Sequence, residues 1–518
     1  MRLAARMGKV ATVMLVAVVG ELSACSTAPP VRQGTAADTY RQEWNQIEHA
    51  PQDASARALF RRRSTLIGSE NFANLTISLQ HARLLETARI GIRAKNAAEA
   101  YGLAVRASLM PDAGFADWSL RVGAADAAGN RADGVRDLTK LAQRWPAQLK
   151  KVNVDIVDDL ANRAPTSEVE KRRRDALLNA LYRDSWVADY GVSPSWLWGD
   201  LAMDLAESGH LHRAIRVVAH VDAPEPLLNM QIDKRFDALV RSNPKLFDVR
   251  AGADREIRVW QAAIARNPRS LDVIVQLTYA DLYAARYADA ESLIRRVFAK
   301  IEQAGSLAAL YDDGDTPLNW LYDNLARALE ARQNRDGAAS AFRDAADRPE
   351  NGSQNVSNLI NLAQYEADLG NGDVAVDLLH QLPVDSDQMS AFGRMQWYLV
   401  QLEASVENGN DPVAQESLAY LRLHQKDALQ AYATGLLADN QLDEAASLLK
   451  RRLNDPLTRD QALMEIQDYA DPPLPPGKTL RLQRLQQVLQ RRDVRDVVDR
   501  VGRIEHVSLP TFLGVDIS

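Results

Sequence analysis

The residues whose types could do chemistry are few, and their spacing argues against most of the reactions they suggest. Gly477-Lys478-Thr479 matches the end of a phosphate-binding loop, but Pro472 stands where that loop needs its first glycine. Proline has no N–H to offer a phosphate. Gly370-x-Gly372-x-x-Ala375 imitates a dinucleotide fingerprint, yet it follows a helical pattern rather than a strand and reads as a turn. Asp312-Asp313-Gly314-Asp315 lacks the ligand spacing and closing glutamate of a calcium loop and reads as a solvated turn. His210, His212 and His220 form the densest histidine cluster. His210 falls in a turn and His220 a turn or more along the next helix, so they read as surface residues rather than zinc ligands. The basic runs Arg61–Arg63 and Lys171–Arg174 read as solvated helix faces. Neither H-E-x-x-H nor G-x-S-x-G occurs. No catalytic residue, metal ligand or cofactor is expected.

The elements that carry these residues follow from composition. The chain has 518 residues, too many for one ordinary core, so several domains or a repeat array are expected. One cysteine excludes an internal disulfide framework and paired-cysteine metal or redox motifs. Lys and Arg number 62 against 69 acids, a balance of −7 that argues against a general nucleic-acid binder. Alanine occurs 78 times while aromatics make up 6%. Such a chain suits closely packed helices and not a large β-sandwich or barrel.

The first 24 residues read as a secretory signal: Arg2, Arg6 and Lys9, then an apolar run from Val10 to Gly20 that is too short to span a bilayer. The run ends in Leu22-Ser23-Ala24-Cys25, which resembles the bacterial lipobox. That resemblance implies lipid attachment at Cys25, the chain's sole cysteine. Ser26 follows it, not the aspartate associated with inner-membrane retention, which implies the outer membrane facing the periplasm. Several acyl chains anchor stably where one does not. Residues 25–38, rich in Pro, Gly and small polar residues, read as a tether.

Turns of one style recur at Ala128-Gly129-Asn130, Ser208-Gly209-His210, Gln333-Asn334-Arg335, Leu369-Gly370-Asn371 and Asp439-Asn440-Gln441, each between helical apolar patterns. The best unit carries Trp198, Leu201, Ala202, Leu205, Gly209, Ala214, Val218, Val221 and Pro226; a second carries Tyr322, Leu325, Ala326, Leu329, Ala338, Phe342 and Ala345. These units resemble the tetratricopeptide (TPR) repeat, a helix–turn–helix of 34 residues. Small residues at two fixed positions let paired helices approach, and neighbouring hairpins must stack to bury their apolar faces. Further units are read around Leu359–Leu382, Leu429–Leu449, Ile274–Val297, Trp118–Pro146 and Ala88–Ala107. Asp281 and Glu366 stand where the family has a large apolar residue, and the stretch between Gly134 and Ala214 fits no single repeat. The expected fold is therefore all-α, a TPR-like helical-hairpin solenoid with irregular repeats and a C-terminal capping helix from Leu480 to about Arg503. The expected segments are a tether (25–38), N-terminal repeats (39–235), a possible break (236–256), C-terminal repeats (257–470), then a Pro-rich connector, capping helix and tail (471–518).

In the TPR family the first helix of each hairpin lines a concave surface. Carried over, this implies partner-binding roles for Trp196, Met203, Tyr279, Trp320, Asp323, Arg327, Glu330 and Gln364. The expected function is a non-enzymatic, lipid-anchored scaffold for a periplasmic or envelope protein or peptide, in envelope assembly, secretion or cell-wall enzyme regulation. It would meet the membrane through its lipid and bind no nucleic acid. An accessory for polysaccharide export, binding glycan, and a cell-wall-active enzyme on a helical superhelix are the alternatives.

Overall fold

The computed structural model describes residues 36–48, 55–162, 165, 167–350, 352–384 and 389–511. The signal segment, Cys25 and most of the tether lie outside the described residues. What is described is all-α, as expected, apart from two parallel-paired strands of two residues each, Asp468–Tyr469 and His506–Val507. The chain divides between Asp189 and Tyr190 into an N-terminal and a C-terminal compact unit. Residues 236–256 lie inside the C-terminal unit, as the short helix Asp237–Ser242, the 3-10 turn Pro244–Phe247 and the start of helix Val249–Arg266.

One turn is used eight times among the described residues. It joins Ile77–Arg93 to Ala97–Ser108 and Phe115–Ala127 to Arg131–Arg144 in the N-terminal unit. In the C-terminal unit it joins Ser195–Glu207 to Leu211–Val218, Leu271–Tyr283 to Tyr287–Ala304, Thr316–Ala331 to Arg335–Ala346, and Val356–Leu369 to Gly372–Leu379. It also joins Ala391–Glu407 to Asp411–Leu423 and Leu429–Ala438 to Leu442–Asn454. In each, one residue after the first helix is left-handed, with φ between +57° and +91°: Lys95, Gly129, Gly209, Ala285, Gln333, Gly370, Gly409 and Asn440. The next residue donates its N–H to a carbonyl five residues back, as in His210 to Leu205, Asn334 to Leu329 and Asn410 to Ser405. This closes the orphan carbonyls of the first helix and reverses the chain into the second. The hairpin at 391–423 uses the same turn, with Gly409 left-handed and the Asn410 N–H donated to Ser405.

Small residues permit the helix contacts, as the repeat spacing requires. Ala88, Ala104, Ala125, Ala202, Ala214, Ala326, Ala338, Ala363 and Ala375 are fully buried. In the N-terminal unit, Tyr40, Trp44, Phe60, Phe72 and Leu84 form the apolar cluster. Two basic residues read as solvated are not. Arg63 is 8% exposed, lies 4.6 Å over the Trp44 ring, and pairs with Glu86 at 3.5 Å. Arg174 is likewise buried and donates to the Ala161 carbonyl at 2.6 Å. A guanidinium this far from water needs such partners. The acidic loop also differs from its reading: Asp313 accepts the Leu271 and Asp272 N–H groups at 2.9 Å each, capping helix Leu271–Tyr283 from 41–42 residues away.

The two residues that broke the apolar pattern sit on buried helix faces. Glu366 accepts from Asn371 Nδ2 at 2.7 Å. Asp281 is 5% exposed, and burial pushes its pKa up from the ordinary 3.8 to about 6, reinforced by Asp289 and opposed by Arg286. Its folded pKa lies above its unfolded value, so the folded state holds the proton more tightly. The C-terminal unit should therefore lose stability as pH rises from about 4 to about 6, by about 2 kcal/mol from this group. Urea unfolding of Asp281→Asn should show that slope flattened and a net gain at pH 7; an unchanged slope would reject the assignment.

The capping helix is two helices, Pro476–Gln490 and Arg492–Val501, broken at Arg491, whose φ of −65° and ψ of 133° are extended. The break lets the two pack on different partners. The first lies against helices Val356–Leu369, Leu429–Ala438 and Leu442–Asn454. The second turns its Val494, Val497, Val498 and Val501 face into the main apolar cluster.

The chain then returns to residues 232–237, just past the first hairpin of its own unit. The Arg503 N–H donates to the Ile232 carbonyl at 3.0 Å, and Asp233 and Gly502 form an antiparallel bridge. Arg503 pairs with Asp237 at 2.6 Å, Arg235 pairs with Asp460 at 2.5 Å, and Lys234 donates to the Asp499 carbonyl. The last helices of the C-terminal unit are thus tied to the segment that follows its first hairpin.

Candidate concave binding wall

The wall is built by the first helices of successive hairpins, Leu271–Tyr283, Thr316–Ala331, Val356–Leu369 and Ala391–Glu407; the first packs on the second and the third on the fourth, and a side-chain hydrogen bond joins the second to the third. Buried polar side chains step across it. Asn324 Nδ2 donates to Thr278 Oγ1 at 2.7 Å, Asn361 Nδ2 to Asp323 Oδ1 at 2.9 Å, and Gln364 Nε2 to Glu403 Oε2 at 2.5 Å. Arg327 Nε pairs with Asp323 Oδ2 at 2.6 Å one helical turn away. Each pair satisfies groups that would otherwise be costly to bury.

Against this wall lies the chain's own segment 471–485. Gln333 Nε2 donates to the Pro473 carbonyl at 2.9 Å. Lys478 Nζ is 3.1 Å from Glu330 Oε1, and Arg481 reaches Asp368 at 2.7 Å and Glu403 at 2.9 Å. Gly477 crosses directly over Asp368; a Cβ there would sit 3.0 Å from the Asp368 Cα. Asp368 is 1% exposed, and burial holds the Glu403 carboxyl above the ordinary range against the pull of Arg481. The lysine of the mock phosphate loop is thus one of two cations set among three wall carboxylates.

Between segment and wall lies a cavity of about 330 Å³. Of the eight residues inferred for partner binding, Tyr279, Arg327, Glu330 and Gln364 line it. Asp323 does not; it is wholly buried behind Arg327. Trp320 is 5% exposed and packs in the apolar cluster with Leu271, Ile274 and Leu321, because a large ring at that helix position gains more from the core than from the surface. Trp196 and Met203 sit on helix Ser195–Glu207, outside the cavity lining; Trp196 is half-buried and Met203 is 8% exposed. Cys25 lies outside the described residues.

Sequence reasoning missed Lys478, Arg481, Asp368 and Glu403. The only signal was complementary charge: basic residues three apart at Lys478, Arg481 and Arg484, and acids on the first helices. Nothing local pairs residues 78 to 148 positions apart along the chain.

No family model matches the chain, and no curated protein matches it. Among solved structures the chain is similar to the APC/C hetero-tetramer Cut9–Hcn1, at 10% identity and a TM-score of 0.29, with 90% of this chain and 93% of that one covered. It is also similar to yeast Tom70, at 12% identity and a TM-score of 0.31, with 90% of this chain and 98% of that one covered.

Proposed function

We propose that the protein is a non-enzymatic helical-repeat scaffold that binds a protein or peptide partner. It is tethered by a lipid on Cys25 in the bacterial envelope, at the outer membrane and facing the periplasm. The observation that supports binding is the wall's hold on residues 471–485: a side-chain amide takes the carbonyl of an extended proline run, and carboxylates take two cations. Stacked first helices are suited to presenting such groups at regular intervals. The lipobox-like Leu22–Cys25 supports the tether.

Both parts are testable. A photo-crosslinking residue at Tyr283 or Gln430, on the cavity lining, should capture one defined protein in cells, identified by mass spectrometry. Adducts no different from those of an exposed control position would reject the wall as the partner site. A fatty-acid analogue should label the wild-type protein and fail to label Cys25→Ser; retained label would reject the anchor.

A further inference from the structure

Residues 472–487 form a strap fixed at both ends. Upstream, the Ala470 N–H donates to the Val507 carbonyl at 2.9 Å, and Asp471 accepts from the Thr511 N–H at 2.7 Å and from its hydroxyl at 2.8 Å. Downstream, Val488 is 1% exposed within the main apolar cluster. Between these points the strap is hardly packed. From 471 to 485 only Pro475 is buried. Beneath it lies the cavity of about 330 Å³, with Leu282, Leu399 and Leu437 on the wall side. Protein interiors are close-packed, and a void of that size forfeits contacts that a finished core would make.

Polar contacts hold the strap instead. The Gln333 amide takes the Pro473 carbonyl, Lys478 meets Glu330, Arg481 meets Asp368 and Glu403, and Arg484 donates to the Leu437 carbonyl at 2.8 Å. Such contacts can be exchanged. The wall offers the strap three carboxylates, while Arg327, its own lining cation, is paired with Asp323. A carboxylate that passes from one cation to another is never left bare. Exchange therefore escapes the large penalty of an unpaired buried charge, which deletion of a cation incurs.

We infer that the wall takes a partner segment of the strap's own chemistry, and that residues 472–487 are a built-in competitor which the partner displaces. That segment has an extended, proline-containing stretch followed by two basic side chains three residues apart. Prolines keep such a stretch extended before it binds, and its carbonyls stay free to accept, as Pro473 does from Gln333. Tyr283 and Tyr287, on the cavity lining, suit the faces of proline rings. An acidic segment would be repelled by Glu330, Asp368 and Glu403. A strap tethered at both ends competes at an effective concentration on the order of 1 mM, so the partner must be abundant or docked elsewhere as well. The inference rests on the wall being the partner site; it adds what the partner carries and what it has to move.

The test supplies residues 470–486 as a fluorescein-labelled synthetic peptide and follows its anisotropy on the full-length protein. Lys478→Gln in the protein loosens the strap; the Glu330 side chain is 18% exposed and can turn to water, so the fold is kept. The peptide should bind this variant at least about tenfold tighter than it binds the wild type. The same peptide carrying Lys478→Glu and Arg481→Glu should bind at least about tenfold weaker. Hydrogen exchange reads displacement directly. Bound peptide should raise exchange at strap amides such as Thr479, whose N–H donates to the Pro475 carbonyl at 2.9 Å, and leave helix Arg492–Val501 protected. Three results overturn the inference: no saturable binding to the variant, equal binding of the charge-reversed peptide, or binding with strap exchange unchanged. A protein captured by crosslinking with no peptide binding would reject this inference and keep the scaffold reading. Peptide exchange with no captured protein would reject the scaffold reading and leave the strap's exchange standing.

Discussion

Replacing Arg481 with alanine should lower the stability of the C-terminal unit by about 3–5 kcal/mol, the cost of removing one partner from a buried ion pair. Arg481 sits 2.7 Å from Asp368 and 2.9 Å from Glu403, and the two carboxylates are 1% and 7% exposed at their side chains. Without the guanidinium, Asp368 keeps only Lys478, at 3.8 Å, and Glu403 keeps only the Gln364 amide. The loss should depend on pH in a definite direction. Burial already holds the Glu403 carboxyl above its ordinary range, and Arg481 is the main charge opposing that shift. In the variant its folded pKa rises further above the unfolded value. Protonation then relieves the penalty, so the destabilisation should be largest at pH 7 and smaller at pH 5. Urea unfolding at both values measures it. A loss under about 1 kcal/mol at pH 7 would mean that the segment's cations are solvent-screened ornaments on the wall.

The second large effect is expected at the closure. A Cβ on Gly502 would lie 2.6 Å from Leu463 Cδ2 and 2.7 Å from the Ile232 carbonyl oxygen. The leucine can turn aside; the carbonyl cannot, because it also accepts the Arg503 N–H. The backbone of Gly502 is extended, so the demand is for space and not for an unusual torsion. Gly502→Ala should cost about 1–3 kcal/mol, the usual range for overpacking. It should also raise hydrogen exchange at the Arg503 amide. Gly102→Ala is the control. That glycine lies within helix Ala97–Ser108 with nothing within 4 Å of a Cβ, so the change should be neutral or stabilising by up to about 1 kcal/mol. Equal behaviour of the two variants would show that the return of the chain to Ile232 does not hold the unit together.

Much of the wall was legible because its rules are local. The helix limits around Trp198, Tyr322, Leu359 and Leu429 follow from apolar spacing, and the turns follow from a residue that tolerates a left-handed backbone. Even Gln333 and Asn440, which are not glycines, occupy that place at φ of +63° and +57°. The reading of Tyr279, Arg327, Glu330 and Gln364 as residues on one surface is a consequence of helical periodicity. The same periodicity put Trp320 on that surface, whereas its ring packs in the apolar cluster, since facing a neighbour's helix and facing a groove are one direction until the neighbours are placed.

From its sequence alone this chain is an all-α array of hairpins, because turn chemistry and a 3.6-residue period act over a few residues and need no partner. A lipobox-like cysteine ahead of that array is equally local. Only the tertiary structure decided that residues 471–485 lie on the wall, that Lys478 and Arg481 are counter-ions and not a phosphate site, and that Gly502 closes the C-terminal unit. Those outcomes depend on groups up to 272 residues apart, as between Arg503 and Gln231. Such pairs form only once stacking has fixed how far each helix advances around the superhelix, and no local pattern encodes that distance.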